Sequence, residues 1–184
     1  MVFKELIERI AISLEKEEIP YMIIGGQAVL YYGEPRFTKD IDITLGVDSD
    51  VLGKVLVLVN TLNLSVLVND IEDFVKKTMV LPSQDVPSGI RVDFIFSHSD
   101  YERQAIERAK KVMFGETFVR FASLEDLVIH KIIAGRPRDI EDVSSILLKN
   151  PEYDYHYIAD WLKKFDDSLS ENFLETFKKL VAGM

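Results

Sequence analysis

The chain has 184 residues, 47% of them hydrophobic, with 31 acidic against 22 basic side chains and a net charge of −9. That length suits one substantial core, or one domain with a helical appendage, and is short for two full-sized domains. The composition excludes disorder and a membrane span, the absence of Cys excludes disulfides and thiolate metal sites, and the acidity opposes sequence-independent binding to a phosphate backbone.

Residues 3 to 18 carry Phe3, Leu6, Ile7, Ile10, Ile12 and Leu14 among charges at a near-helical period, and Pro20 closes the segment. An amphipathic helix is expected there. Its acidic residues, standing where a signal peptide needs a basic start, make the cytoplasm the expected compartment. YMIIGG reads as a buried strand ending at Gly25 and Gly26, QAVLYYG as a short helix, and EPRFTK as a loop. DIDITLG alternates strictly, with Ile41, Ile43 and Leu45 on one face and Asp40, Asp42 and Thr44 on the other. VLGKVLVLVNTL, after Asp48-Ser49-Asp50, and IEDFVKKT read as helices.

MVLPS and IRVDFIF flank the turn-rich QDVPSG and are expected to form a hairpin, with Arg91 and Asp93 on the face opposite Val92, Phe94 and Phe96. A third carboxylate thus stands mid-strand. SDYERQAIERAK follows as a capped helix, KVMFGETFVRFA as a glycine-centred strand, and SLEDLVIHKIIAG as a helix that opens on a Ser-x-x-Asp cap and ends at Gly135. RPRDIEDVSSILLKN is another helix, and residues 154 to 182 form two more that part near Asp166-Asp167-Ser168. The order is a mixed α/β part, residues 1 to 122, followed by a helical part, 123 to 184, packed on it across a soft boundary. Residues 101 to 140 hold eight basic against six acidic side chains, a local reversal of the overall charge. Tyr153, Tyr155, Tyr157 and Trp161 are spaced too closely for one helical face; a surface aromatic patch is one reading of them.

Residues two apart on a strand lie about 6.5 to 7 Å apart and point the same way, which suits Asp40 and Asp42 to a shared pair of divalent cations. Unpaired, they repel, and Asp93 on a neighbouring strand adds to the repulsion unless positive charge sits among them. Mg²⁺, an oxygen-seeking ion held by carboxylates and substrate phosphates, is the natural neutraliser, whereas only three His and no Cys disfavour zinc. Gly25 and Gly26 lie where a strand hands over to a helix, so backbone N–H groups there and at Gln27 and Ala28 can donate to a phosphate. Arg36, Thr38 and Lys39 precede the carboxylates closely enough to reach the same pocket, where a cation offsets triphosphate charge. Neither a Rossmann fingerprint nor a P-loop is present.

Taken in order, Gly25-Gly26, a gap of 13 residues, Asp40-Ile41-Asp42 and then Asp93 resemble the signature of the DNA polymerase beta-like nucleotidyltransferase superfamily. Arg36-x-Thr38-x-Asp40-Ile41-Asp42, with Lys131 through Arg136, Arg138, Asp139 and Asp142, resembles its minimal branch related to abortive-infection toxins. The resemblance covers roughly residues 20 to 145 and departs at Gly26, where many relatives have Ser. It implies an α+β nucleotidyltransferase fold, a small mixed sheet flanked by helices with a helical C-terminal part. It implies an enzyme that moves an NMP from an NTP to a hydroxyl, with two Mg²⁺ ions on Asp40, Asp42 and Asp93, and Lys131 as a nucleotide contact. For Lys131 the alternative is an ion pair with Glu125 or Asp139. The acceptor stays open among a protein side chain, a tRNA end and a small molecule, and a toxin–antitoxin or defence role with a cognate partner protein follows from resemblance alone. The rival readings are a non-catalytic nucleotide- or partner-binding module on the same fold, and a structural interaction module whose carboxylates are surface charges.

Overall fold

The computed structural model describes residues 2–34, 38–97 and 99–184, so His98 lies outside it. The chain divides into two compact units, Met1–Gln27 with Phe37–Ala122, and Ala28–Arg36 with Ser123–Met184.

The first unit holds a seven-stranded mixed sheet. Helix α1 (Val2–Lys16) buries Leu6, Ile7, Ile10, Ala11 and Leu14, a stripe at helical spacing. It ends where Glu18 turns left-handed and Pro20 follows, and strand β1 (Tyr21–Ile24) begins immediately. Helix α2 (Gly25–Tyr32) starts at the first glycine, two residues earlier than expected, and strand β2 (Asp40–Leu45) follows. A single 3₁₀ turn at Ser49–Val51, capped by Asp48, leads into α3 (Leu52–Thr61). The Val content of α3 does not prevent a helix, because Leu52, Val55, Leu58 and Val59 form one buried face.

Strand β3 (Leu64–Val66) was not expected from the sequence; three residues are too few for a periodic signal. Helix α4 (Ile71–Thr78) has Glu72 and Asp73 in its first turn and Lys76 and Lys77 in its last, charges that complement the helix dipole. The expected hairpin is present as β4 (Val80–Asp85) and β5 (Arg91–Phe96). Helix α5 (Asp100–Glu107) is capped by Ser99, which accepts from the amide of Glu102. The segment read as one glycine-centred strand is two, β6 (Lys110–Phe114) and β7 (Thr117–Phe121), because Gly115 takes a φ of +65° in the turn and reverses the chain.

The strand order is β3-β4-β5-β2-β1-β7-β6. Strand β2 is therefore interior, parallel to β5 on one side and antiparallel to β1 on the other. Ile23, Ile41, Ile43, Val92, Phe94 and Phe121 share one face of these central strands and are all buried, each contributing about 1.5–3 kcal/mol. α1 packs along β7, and Arg9 reaches from it to the buried carboxylate of Asp85 at 2.8 Å.

The second unit is helical: α6 (Leu124–Ala134), α7 (Pro137–Lys149), α8 (Tyr155–Leu169) and α9 (Phe173–Ala182). Ser123 caps α6 and Gly135, at φ +63°, closes it as the sequence indicates, while Pro137 opens α7. The break between the last two helices falls later than expected. Asp166 stays helical and turns its carboxylate to the amides of Phe173 and Leu174, at 2.5 and 3.2 Å, so an acidic residue that resembles a breaker serves as a cap for α9. The aromatics of α8 make contacts within the unit: Tyr155 stacks on buried Phe177, and the Tyr157 hydroxyl donates to Asp126 at 2.8 Å. The segment after residue 28 is tied to α7, Asn150 donating to the carbonyl of Tyr32 and Lys149 to that of Gly33.

Candidate active site

Asp40 and Asp42 project from one face of interior strand β2. In the parallel register Asp42 lies beside Asp93 and Asp40 beside Arg91, with Ile24 of β1 on the other flank of Asp42. Neighbouring strands are about 4.8 Å apart, so two carboxylates adjoin across the ladder while two follow one another along β2. Three acidic side chains thus share one patch of sheet.

Gly25 and Gly26 are required by contacts on this face. Gly25 has a φ of +64°, and a Cβ there would stand 1.9 Å from Oδ2 of Asp42, so the carboxylate lies against bare backbone. A Cβ on Gly26 would stand 2.8 Å from Cβ of Thr38. The Thr38 hydroxyl accepts from Nε2 of Gln27 at 3.0 Å and donates to the carbonyl of Asp40 at 3.2 Å. Thr38 is buried, and through these bonds it joins the start of α2 to the start of β2. Gly25, Gly26, Gln27, Thr38, Asp40, Asp42 and Asp93 are therefore assembled in one place, and Arg36 lies outside the described residues.

Sequence reasoning placed Arg91 beside Asp93 but gave it no task. Its Nε donates to both oxygens of Asp93, at 2.9 and 3.0 Å. That hydrogen bond, followed by the charges of Asp93, Asp40 and Asp42, raises the guanidinium pKa against the opposing effect of partial burial. The positive charge that three neighbouring carboxylates call for is present in the chain itself. The usable signal was Arg-x-Asp on one strand, a spacing that puts both side chains on the same face.

Lys131 belongs to the helical unit. It is buried, and its Nζ donates to Asp139 at 2.6 Å and Asp142 at 2.8 Å, while Arg136 Nε donates to Asp139 at 2.5 Å. Of the readings left open for Lys131, the ion pair with Asp139 is the one formed, and Asp142 joins it. Burial by itself raises the pKa of Asp139, but the bonds from Arg136 and Lys131 prevail and hold it below the ordinary value.

As to metals, the three carboxylates on one face supply the hard oxygen donors that a divalent cation takes, and the bare backbone of Gly25 makes room for the Asp42 carboxylate itself. Among the described residues no group of three acidic or His side chains is drawn together around a single point, and Asp93 is instead held by Arg91.

Solved structures share this architecture. The antibiotic-resistance factor ANT(2'')-Ia is similar at 15% identity with a TM-score of 0.62, covering 92% of this chain and 94% of that one. The lincosamide antibiotic adenylyltransferase LnuA, solved with lincomycin bound, is similar at 16% identity and a TM-score of 0.50 over 72% of this chain and 89% of its own. JHP933 from Helicobacter pylori is similar at 17% identity and a TM-score of 0.51 over 96% and 86%. At these identities the likeness shows a common nucleotidyltransferase-type fold. No curated protein matches with significance. Residues 1–178 match one family throughout, and the chain belongs to it: the nucleotidyltransferases of unknown function designated DUF6036.

Proposed function

We propose that this nucleotidyltransferase moves a nucleoside monophosphate from a Mg-NTP to a hydroxyl of a small polar molecule. The observation that carries the proposal is the register of Asp42 beside Asp93, with Asp40 two residues along and Gly25 clearing the space against Asp42. Asp40 and Asp42 would hold two Mg²⁺ ions, with Asp93 completing one of the two coordination sets. When bound, the ions supply charge neutralisation at the triphosphate and lower the pKa of the attacking hydroxyl. The backbone of Gly25, Gly26 and Gln27 approaches the phosphates without side-chain obstruction, and Thr38 fixes the angle at which β2 presents its carboxylates. In the transfer, the acceptor oxygen bonds to the α-phosphorus and the bond to the α,β-bridging oxygen breaks. Pyrophosphate leaves with the electron pair, and the hydroxyl proton passes to Asp93 and on to solvent.

A small acceptor is supported by two considerations. A net charge of −9 disfavours an RNA acceptor and favours a cationic or neutral one. ANT(2'')-Ia has been solved with adenylyl-2''-tobramycin, and LnuA is an adenylyltransferase of lincosamides. The protein-modifying, toxin-like reading rests on the Arg36-x-Thr38 and Lys131–Asp142 patterns; Lys131 and Asp142 are engaged in a buried ion pair.

The test is incubation with each α-³²P-labelled NTP and Mg²⁺ together with an aminoglycoside and lincosamide panel, total tRNA or cell lysate. The Asp40→Asn/Asp42→Asn variant is the control. Label on a small molecule, lost in the variant, is the expected result; label on RNA or protein would move the acceptor class. If folded parent neither binds Mg-NTP nor labels anything, the enzyme reading fails in favour of an interaction module.

A further inference from the structure

We propose that Arg91 is a resident counter-cation of the carboxylate site, which holds Asp93 until a divalent ion and nucleotide take it over, and so sets how weakly the site binds metal on its own. The inference rests on reading Asp40, Asp42 and Asp93 as metal ligands. It follows from three features of the face. Arg91 engages both oxygens of Asp93 through Nε, so an ion reaching Asp93 competes with an existing charge-assisted bond. It stands beside Asp40 in the β2–β5 register, so its charge acts on every acidic group of the face. The Arg91 side chain is 52% exposed against 15% for Asp93, so the guanidinium swings into solvent at little cost, whereas the carboxylate stays. A purely structural pair would gain little here, because exposed ion pairs contribute modestly to stability.

Removing Arg91 takes one positive charge away from beside three adjacent carboxylates, and such a cluster takes up cations more avidly. Once displaced, the guanidinium is a cation at the rim of a site that is about to receive a triphosphate. Arg91 therefore acts on metal affinity through Asp93, as a positioning residue.

The experiment titrates Mn²⁺ into the full chain, nucleotide-free, and follows the loss of the free aquo-ion signal by electron paramagnetic resonance. Parent, Arg91→Gln, Arg91→Lys and Asp93→Asn are compared, each first checked for a native circular dichroism spectrum. Arg91→Gln should bind Mn²⁺ about tenfold more tightly than the parent, the effect of one neighbouring unit charge. Arg91→Lys should stay within about threefold of the parent, because the charge is retained, and Asp93→Asn should weaken binding. In EDTA the melting temperature of Arg91→Gln should fall below that of the parent and recover on adding Mn²⁺, a rescue that lost packing would not show. Equal or weaker Mn²⁺ binding by Arg91→Gln, with the parent binding measurably, overturns the counter-cation role and leaves the metal site standing. Absence of Mn²⁺ binding by all variants, with or without an NTP, overturns the metal site and this inference with it.

Discussion

Gly25 and Asp42 meet at a distance that only glycine allows: a Cβ on residue 25 would stand 1.9 Å from the carboxylate oxygen of Asp42, and the backbone there is left-handed at φ +64°. Gly25→Ala therefore combines a conformational cost of about 1–2 kcal/mol with displacement of Asp42. Gly135 offers the comparison, since it has nearly the same φ of +63° but nothing closer than 3.7 Å to an added Cβ. Gly135→Ala should lose roughly 1–2 kcal/mol in urea denaturation and Gly25→Ala more than that, and Gly25→Ala alone should lose Mg-NTP binding by calorimetry. Equal nucleotide affinity in the two variants would remove Gly25 from the site.

Gly26 and Thr38 form a second complementary pair, with 2.8 Å between an added Cβ and Cβ of Thr38. Gly26→Ala should destabilise by about 1–3 kcal/mol through overpacking. Thr38→Gly removes the obstructing Cβ, Cγ2 and Oγ1 together with the bonds to Gln27 and Asp40, and should also destabilise alone. The double variant should be more stable than the two losses added together, with a coupling of about 0.5–3 kcal/mol in a double-mutant cycle. Simple additivity would mean that Thr38 moves aside without consequence.

Lys131 faces two buried carboxylates, at 2.6 and 2.8 Å. Replacing it by Met breaks both of these buried pairs, although Arg136 still bonds Asp139, and the expected loss is about 3 kcal/mol by chemical denaturation. Below the denaturation midpoint the variant should keep the parent's affinity for Mg-NTP. A variant that stays stable and loses nucleotide affinity would restore Lys131 as a nucleotide contact.

Two carboxylates make the fold acid-sensitive. Burial of Asp85 opposes ionisation, but Ser88 and Arg9 prevail and lower its pKa below 3.8; at Asp139 burial is likewise outweighed, by Arg136 and Lys131. A depressed folded-state pKa gives stability that is complete above the unfolded value and is lost as pH falls through the folded one. Urea midpoints should therefore fall most steeply below pH 3.8, and Asp85→Asn/Asp139→Asn, less stable at pH 7, should show a flatter decline there. Parallel curves for parent and variant between pH 5 and pH 2.5, on the order of the carboxylate range, would exclude these two groups as the cause.

Most helices and the principal strands are legible in the sequence, because their signals are local. The stripe of Leu6, Ile7, Ile10 and Leu14, the caps Ser99, Ser123 and Gly135, and the alternation of Asp40 to Leu45 all lie within one or two turns of chain. The identity of the acidic residues and their common face on β2 are equally local, since a strand's period of two settles them. Local signals failed where they were short or double-edged, as at β3, at Gly115 and at Asp166.

Tertiary structure decided what lies next to what. Nothing near Asp42 in the chain says that it faces Asp93 across a parallel ladder, or that Gly25 supplies the space its carboxylate occupies. The same holds for Lys131, whose residue type fits a phosphate contact and whose burial between Asp139 and Asp142 gives it a packing role. Composition and periodicity determine which groups are presented and on which face, because those follow from backbone geometry over a few residues. Strand order and register determine which of them share a site, because hydrogen-bonded ladders join segments far apart in the chain, and only the packed core selects among the registers those segments permit.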